Sequence, residues 1–251
     1  MKIIRFVKKK LGIYTIYLDN DSAYDLYEEI ILKEELLLQK NIEKKDLDIL
    51  LQENKNWECY YQALNCLKKV LKTKKELSLY LAKKQYNSKQ IEFALKKLID
   101  QKYLDDKVYA RSFINNRIMT TTKGPKRIAQ ELEQKGISPP DYLDVLNSEY
   151  NEEKEIEKIT KIVSKKTISN RNKSSKILKQ KLEQELLIQG FNPQIIKKYL
   201  NSYEFPTDKI IAQKEYQKYY QKLSRKYQGK ELEYKLKQKM FNLGFINYYD
   251  E

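Results

Sequence analysis

The chain has 251 residues, 41% hydrophobic and 34% charged, with only six Gly and five Pro, too few turn formers for a turn-dense all-β fold. It contains no His, which removes imidazole from base catalysis and from metal binding. The net charge of +15 is uneven: residues 1–60 hold ten Lys/Arg against twelve Asp/Glu, so residues 61–251 carry an excess of seventeen positive charges. A field of that sign favours a polyanion, whether nucleic acid, an acidic protein surface or anionic lipid, and it also serves plain solvation.

In chain order, residues 3–7 and 13–18 are β-rich and alternate around Gly12, which predicts a hairpin. Tyr14, Ile16 and Leu18 face one side, and Ile13, Thr15 and Tyr17 the other. The cluster Asp19-Asn20-Asp21-Ser22 is a turn, and a short third strand is expected at Ala23–Tyr27. Ile30, Ile31, Leu32, Leu36 and Leu37 then shift to helical spacing, followed by an amphipathic piece with Leu47, Leu50 and Leu51. A sheet this small needs helices packed on it. Cys59 and Cys66, seven apart, share a helical face; the spacing is too wide for a C-x-x-C site and reads as two buried thiols in a reducing compartment. No apolar run nears 18 residues and the N-terminus lacks a signal-peptide core, so a cytosolic protein without a membrane partner is expected.

From Trp57 onward the pattern is helical and repeats. One corner recurs as Gln85-Tyr86-Asn87, Gly136-Ile137-Ser138, Gly190-Phe191-Asn192 and Gly244-Phe245-Ile246, at spacings of 51, 54 and 54 residues. Gly closes a helix in the left-handed conformation, Asn or Ser caps the next, and Pro139 and Pro193 sit just inside it. Before the corner, Leu77 and Leu81 correspond to Ile128 and Leu132, Leu182 and Leu186, and Leu236 and Met240; after it, Ile91 and Leu95 correspond to Tyr142 and Leu146, and to Ile196 and Leu200. A further helix precedes each pair, at about 56–71, 106–120, 152–167 and 207–227. Thr73-Lys74-Lys75-Glu76 is a capping-box pattern. The expected fold is therefore mainly α: tandem three-helix, helix-turn-helix-like repeats in an elongated curved array, behind a small N-terminal β-hairpin or three-stranded element with short helices. The expected divisions are 1–55 for the β+α part, then repeats at 56–104, 105–149 and 150–204, and a truncated fourth at 205–251.

Candidate chemistry is that of binding. At Thr120-Thr121-Thr122-Lys123-Gly124-Pro125-Lys126-Arg127, Pro125 fixes a helix start whose first turn carries two bases against the macrodipole. Free N–H groups, three hydroxyls and three bases would fit a phosphate or carboxylate there, or form a solvated end. From Lys158 to Leu182 there are nine bases and no acid, with 167–175 expected as a flexible loop that either follows phosphates or is simply solvated. Tyr216, Tyr219, Tyr220, Tyr227 and Tyr234 lie among Lys and Arg, where they either stack on single-stranded bases or form core and rim. No phosphate-binding glycine loop is present, Ser and Cys lack an imidazole partner, and no clustered acid motif argues for a metal-dependent nuclease, so no catalytic residue, cofactor or metal is assigned.

The run Tyr103-Leu104-Asp105-Asp106, Tyr109-Ala110, Arg117, Lys123-Gly124-Pro125-Lys126-Arg127-Ile128, Glu131-Leu132 and Lys135-Gly136-Ile137 resembles the RecX family of recombination regulators. Glu76-Leu77, Tyr80-Leu81, Ile91, Ala94-Leu95 and Leu98 fit the first repeat of that family. The likeness is strongest over 63–146, and the remainder is similar to longer family forms. Two positions depart: Lys102 where many members carry Gly, and Gln85 in the first corner. The resemblance implies a non-enzymatic protein that binds the recombinase RecA and its filament on single-stranded DNA. It further implies that filament extension, ATPase, strand exchange and co-protease activity are damped. The contact residues expected on that basis are Arg111, Arg117, Lys123, Lys126, Arg127, Lys165, Lys166, Arg171, Lys173, Lys176 and Lys179, on a monomer that meets RecA and single-stranded or double-stranded DNA. The other reading is a stand-alone single-stranded nucleic-acid-binding repeat protein without a recombinase partner.

Overall fold

Alternating apolar residues near the N-terminus form a sheet in the computed structural model, which describes residues 1–39, 41–170, 172–206 and 208–245. Strands β1 (Ile3–Lys8), β2 (Ile13–Leu18) and β3 (Ala23–Tyr27) make an antiparallel meander in the order β1-β2-β3, with Phe6 opposite Ile16 and Tyr14 opposite Leu26. The expected third strand is present. Ile3, Ile16, Leu18 and Leu26 are buried, and Tyr17 faces out, as the alternation requires. Thr15, also buried, donates its hydroxyl to Asp25 Oδ1 at 2.6 Å. The core is completed by Ile30 and Ile31 of α1 (Glu28–Lys33) and by Leu47 and Leu50 of α2.

Helix α2 (Lys44–Leu67) is one unbroken helix of 24 residues and differs from the two pieces expected there. It runs straight through position 55/56, because 52–56 hold no Gly or Pro to stop it. Its first half covers the sheet. Its second half gives Cys59, Tyr60 and Ala63 to a second core, shared with Leu77 and Leu81 of α3 (Lys74–Lys83) and with Ile91, Ala94, Leu95 and Leu98 of α4 (Ser88–Asp100). Cys59 is buried, its thiol pushed up to about 12 by burial and then by Glu58; Cys66 is only half-buried, contrary to expectation. Both α3 and α4 begin with capping boxes, Thr73 with Glu76 and Asn87 with Gln90.

The remaining helices are α5 (Asp106–Thr120), α6 (Pro125–Gln134), α7 (Pro139–Glu149), α8 (Glu152–Ser169), α9 (Ser175–Gln189), α10 (Pro193–Ser202), α11 (Asp208–Leu223) and α12 (Gly229–Asn242). The fold class is therefore mainly α with a small antiparallel sheet. Two compact units emerge, Met1–Tyr109 with Lys135–Ile137, and Ala110–Gln134 with Ser138–Glu251. Every i,i+4 apolar pair named above is buried. Three boundaries differ, the first being α2, which stops at Leu67, four residues before the expected end at 71. Helix α8 continues through Ser169 because Thr167 is buried, which shortens the expected 167–175 loop; α11 stops at Leu223, four residues early.

At the four corners Gln85, Gly136, Gly190 and Gly244 have φ of 67°, 84°, 87° and 90°, the same left-handed ending each time. Lys102 has φ 60°, so both departures from the family pattern keep the turn at a non-Gly residue. Ile246 of the fourth corner lies outside the described residues.

Candidate partner-binding surface

The start of the helix before one corner is anchored on the carbonyls of the next corner. Thr73 Oγ1 donates to the Lys135 carbonyl at 2.8 Å. The Gly124 N–H donates to the Gln189 carbonyl at 2.8 Å, and that of Lys126 to the Gly190 carbonyl at 3.0 Å. The Ser174 N–H donates to the Leu243 carbonyl at 2.9 Å. Both corners leave no room for a side chain: a Cβ on Gly190 would sit 2.5 Å from the Arg127 backbone nitrogen, and one on Gly136 2.7 Å from Cβ of the Lys75 side chain. So Gly serves close approach as well as φ. Gln85 is tolerated because, among the described residues, no helix start hydrogen-bonds to the Lys84 or Gln85 carbonyls.

Acids complete these anchors. Asp106 Oδ1 accepts from the Lys74 N–H at 2.9 Å, and Asp208 Oδ1 from the Ser175 N–H at 2.7 Å. At the equivalent place in α6 stands Pro125, which has no N–H to satisfy. Asp105 caps its own helix through the Lys107 and Val108 N–H groups. The two adjacent aspartates are thus both caps.

These anchors take up N–H groups that the sequence reading expects to be free at 120–127. The Gly124, Lys126 and Arg127 N–H groups already donate to carbonyls, and Lys123 N–H donates to Thr121 Oγ1 at 3.3 Å. The Thr120 and Thr121 hydroxyls donate back to the Asn116 and Arg117 carbonyls. The Lys123, Gly124, Lys126 and Arg127 N–H groups are thus already engaged.

The candidate bases fall into two groups. Lys123 Nζ and Arg117 Nε both bind Glu131, the latter at 3.0 Å, and the Arg117 guanidinium lies 4.6 Å over the Phe113 ring. Burial pushes the Glu131 carboxyl up, but Lys123 and Arg117 outweigh it and hold it below the usual range. Lys166 pairs with Glu185 at 2.9 Å, Lys173 donates to Asn170 Oδ1 and Lys179 to Asn201 Oδ1, both at 2.8 Å. Burial, then Lys181, lowers the Lys173 ammonium. Lys158, from the same basic run, donates to the Thr121 carbonyl and is lowered by burial, then by Lys161. The second group is exposed: Arg111, Lys126, Arg127, Lys165 and Lys176. Among the described residues none of the five is in an ion pair, though Arg127 reaches Gln130 at 3.4 Å and Lys126 acts electrostatically on Glu155. Arg171 lies outside the described residues.

Of the tyrosines, Tyr216 and Tyr219 pack on the Ala212, Met240, Leu243 and Phe245 core. Lys239 lies 5.1 Å over the Tyr219 ring and Lys235 6.0 Å over Tyr227, while Tyr220 and Tyr234 are exposed. Among the described residues no group of three His, Cys, Asp or Glu side chains could hold a metal, and no helix is long and apolar enough to cross a membrane.

A family model described as RecX, second three-helix domain, matches residues 105–146. The regulatory protein RecX of Oceanobacillus iheyensis is 29% identical over 238 residues, 93% of this chain and 87% of that protein. A crystal structure of a regulatory protein RecX superposes with a TM-score of 0.73 at 27% identity, covering 80% of this chain and 100% of that one. RecX from Lactobacillus salivarius gives a TM-score of 0.56 at 30% identity, over 59% of this chain and 96% of the other. Sequence, fold and the α5–α7 segment agree, and the chain belongs to the RecX family of regulatory proteins.

Proposed function

We propose that this chain is a regulatory protein that binds the recombinase RecA and its filament on single-stranded DNA, restraining filament extension, ATPase, strand exchange and co-protease activity. The observation that carries the reading is the near full-length likeness to regulatory proteins RecX. The exposed bases Arg111, Lys126, Lys165 and Lys176, in no ion pair among the described residues, supply the sign of charge that a DNA phosphate or an acidic protein surface requires. The protein acts by binding, as a cytoplasmic monomer without cofactor, through repeats at 56–104, 105–149, 150–204 and 205–251 behind the 1–55 element. Paired Arg117, Lys123, Lys166, Lys173 and Lys179 hold the scaffold that presents the exposed group. Co-sedimentation tests the reading: the protein pellets with RecA-coated single strands at concentrations where naked strands leave it in solution. A stand-alone nucleic-acid binder, the reading that exposed Tyr220 and Tyr234 favour, would show the reverse order.

A further inference from the structure

In an antiparallel sheet alternate residues turn their N–H and C=O groups away from the neighbouring strand, so β1 and β3, at the two edges, each carry a row of groups with no strand to meet. The Lys9 N–H donates to the Ile13 carbonyl at 2.7 Å and the Leu18 N–H to the Ser22 carbonyl at 2.9 Å. With the strand register, these bonds fix the alternation: Asp25 and Tyr27 point outward from β3, and Phe6 and Lys8 from β1. The β3 edge is closed by the Asn54 amide, whose Oδ1 accepts from the Tyr27 N–H at 2.8 Å and whose Nδ2 donates to the Asp25 carbonyl at 2.9 Å. The β1 edge is closed at its start only. There Lys2 bridges Asn41 in antiparallel fashion, and the Ile42 N–H donates to the Met1 carbonyl at 2.8 Å. The chain thus lays its own backbone on this edge for two residues and then leaves it. Among the described residues, nothing hydrogen-bonds to the outward groups of Phe6 and Lys8.

Charge singles out the same edge. Residues 1–18 hold five bases and no acid, whereas 19–60 hold five bases and twelve acids. Lys8 pairs with Glu28 at 3.7 Å and Lys9 with Asp25 at 2.9 Å. Lys2, Arg5 and Lys10 are exposed and, among the described residues, in no ion pair. Arg5 lies over the Tyr17 ring and Lys8 over that of Tyr14, so bases flank the edge on both faces of the sheet. Such bases keep β1 of a second copy away, because like charges would then face each other across the new pair. A strand with acidic side chains meets the opposite condition. Ile4, 62% exposed, and the half-buried Phe6 add apolar surface beside the open groups.

We propose that the β1 edge docks an extended acidic segment of a partner protein as a fourth strand, with Phe6 and Lys8 making the backbone bonds and Lys2, Arg5 and Lys10 selecting the charge. Main-chain bonds supply affinity in this mode and flanking side chains supply specificity. Every group involved belongs to the N-terminal sheet, so the proposal stands apart from the DNA contact of the proposed function.

Fluorescence anisotropy of the full chain tests it, with a labelled peptide of alternating valine and glutamate as the probe and no recombinase present. That peptide should bind at least about tenfold tighter than its fully N-methylated form, which keeps the charge and loses every backbone donor. It should bind at least about tenfold tighter than a valine-lysine peptide, and Arg5→Glu, with melting unchanged, should narrow that difference. Under saturating peptide, amide hydrogen exchange should slow at Phe6 and Lys8 by about tenfold or more, and less at Arg5 and Val7, which already face β2. Equal binding of the N-methylated peptide, or unchanged exchange at Phe6 and Lys8, overturns strand addition. Equal binding of the valine-lysine peptide, or no binding of either, overturns the acidic partner. Protection of the same amides that rises with protein concentration in the absence of peptide assigns the edge to a second copy and overturns the proposal. Arg5→Glu that weakens oligo-dT binding and leaves the peptide unaffected assigns the hairpin to nucleic acid, with the same result.

Discussion

Thr73 Oγ1 donates to the carbonyl oxygen of Lys135 at 2.8 Å while accepting from the Glu76 N–H at 3.1 Å, so one fully buried hydroxyl caps α3 and ties it to the corner 62 residues ahead. Thr73→Ala loses the cap and leaves a carbonyl without its partner. The expected loss of stability is about 2 kcal/mol, read from the urea midpoint, with Thr73→Ser restoring most of it. Gly190→Ala strains a residue at φ 87° and drives a methyl against the Arg127 backbone. It should cost about 3 kcal/mol in the same assay.

Lys102 presents the opposite case. It holds φ 60° with a side chain that the backbone disfavours there. Lys102→Gly should raise stability by about 0.5–1 kcal/mol, seen as a higher urea midpoint at unchanged slope. A lower midpoint would mean that the lysine contributes more than its backbone costs.

Much of this was legible because corner chemistry is local: an apolar residue follows the left-handed helix end at all four corners, Gly stands at three of those ends, and Asn87 and Asn192 cap the next helix, whereas Ser138 makes no side-chain cap hydrogen bond. The three strands of the first 27 residues were equally plain from their alternation, which divided the two faces of β2 but did not say which is buried; Thr15, on the face opposite Ile16, is buried too. What escaped depends on residues distant in sequence. Thr167 sits in a run of Lys, Ser and Asn that reads as loop, and its burial, which the polar run hides, keeps α8 helical to Ser169. The pairing of Lys123 and Arg117 on Glu131 requires α5 and α6 to be folded together first. The role of Gly136 as a landing place for α3 is invisible until Lys75 is found against it.

Stability should respond to acid with two opposite signs. Burial pushes the Glu76 carboxyl up, but Lys135 at 2.5 Å and the Thr73 N–H outweigh it; like Glu131, Glu76 is held below its ordinary 4.5. These two groups stabilise the fold above pH 4.5, and that contribution is lost as pH falls through their lowered folded values. Glu155, buried and accepting from the Asn192 N–H at 2.5 Å, is raised, by burial foremost. Its charge costs stability at neutral pH, and the cost is relieved as pH falls through its raised value toward 4.5. Thermal melts from pH 7 to 3 should show Glu155→Gln at least as stable as the native chain at pH 7, with a flatter profile above pH 4.5. Glu131→Gln should be less stable at pH 7 and lose less on acidification.

Charge reversal separates scaffold from contact. Arg111→Glu, Lys165→Glu and Lys176→Glu together remove exposed bases held by no ion pair among the described residues, so melting should be unchanged while binding to RecA-coated strands falls at least about tenfold and loses salt dependence. Lys123→Glu places a second carboxylate beside Glu131 and should lower the melting temperature instead.

The central claim is tested most directly by the ATPase of RecA on single-stranded DNA, with this protein added before and after filament assembly. The account predicts that hydrolysis falls in both orders, more strongly when the protein precedes assembly, and that the Arg111, Lys165 and Lys176 triple reversal blunts the effect. Hydrolysis unchanged in both orders, at concentrations where the protein is folded and in excess over RecA, would contradict it.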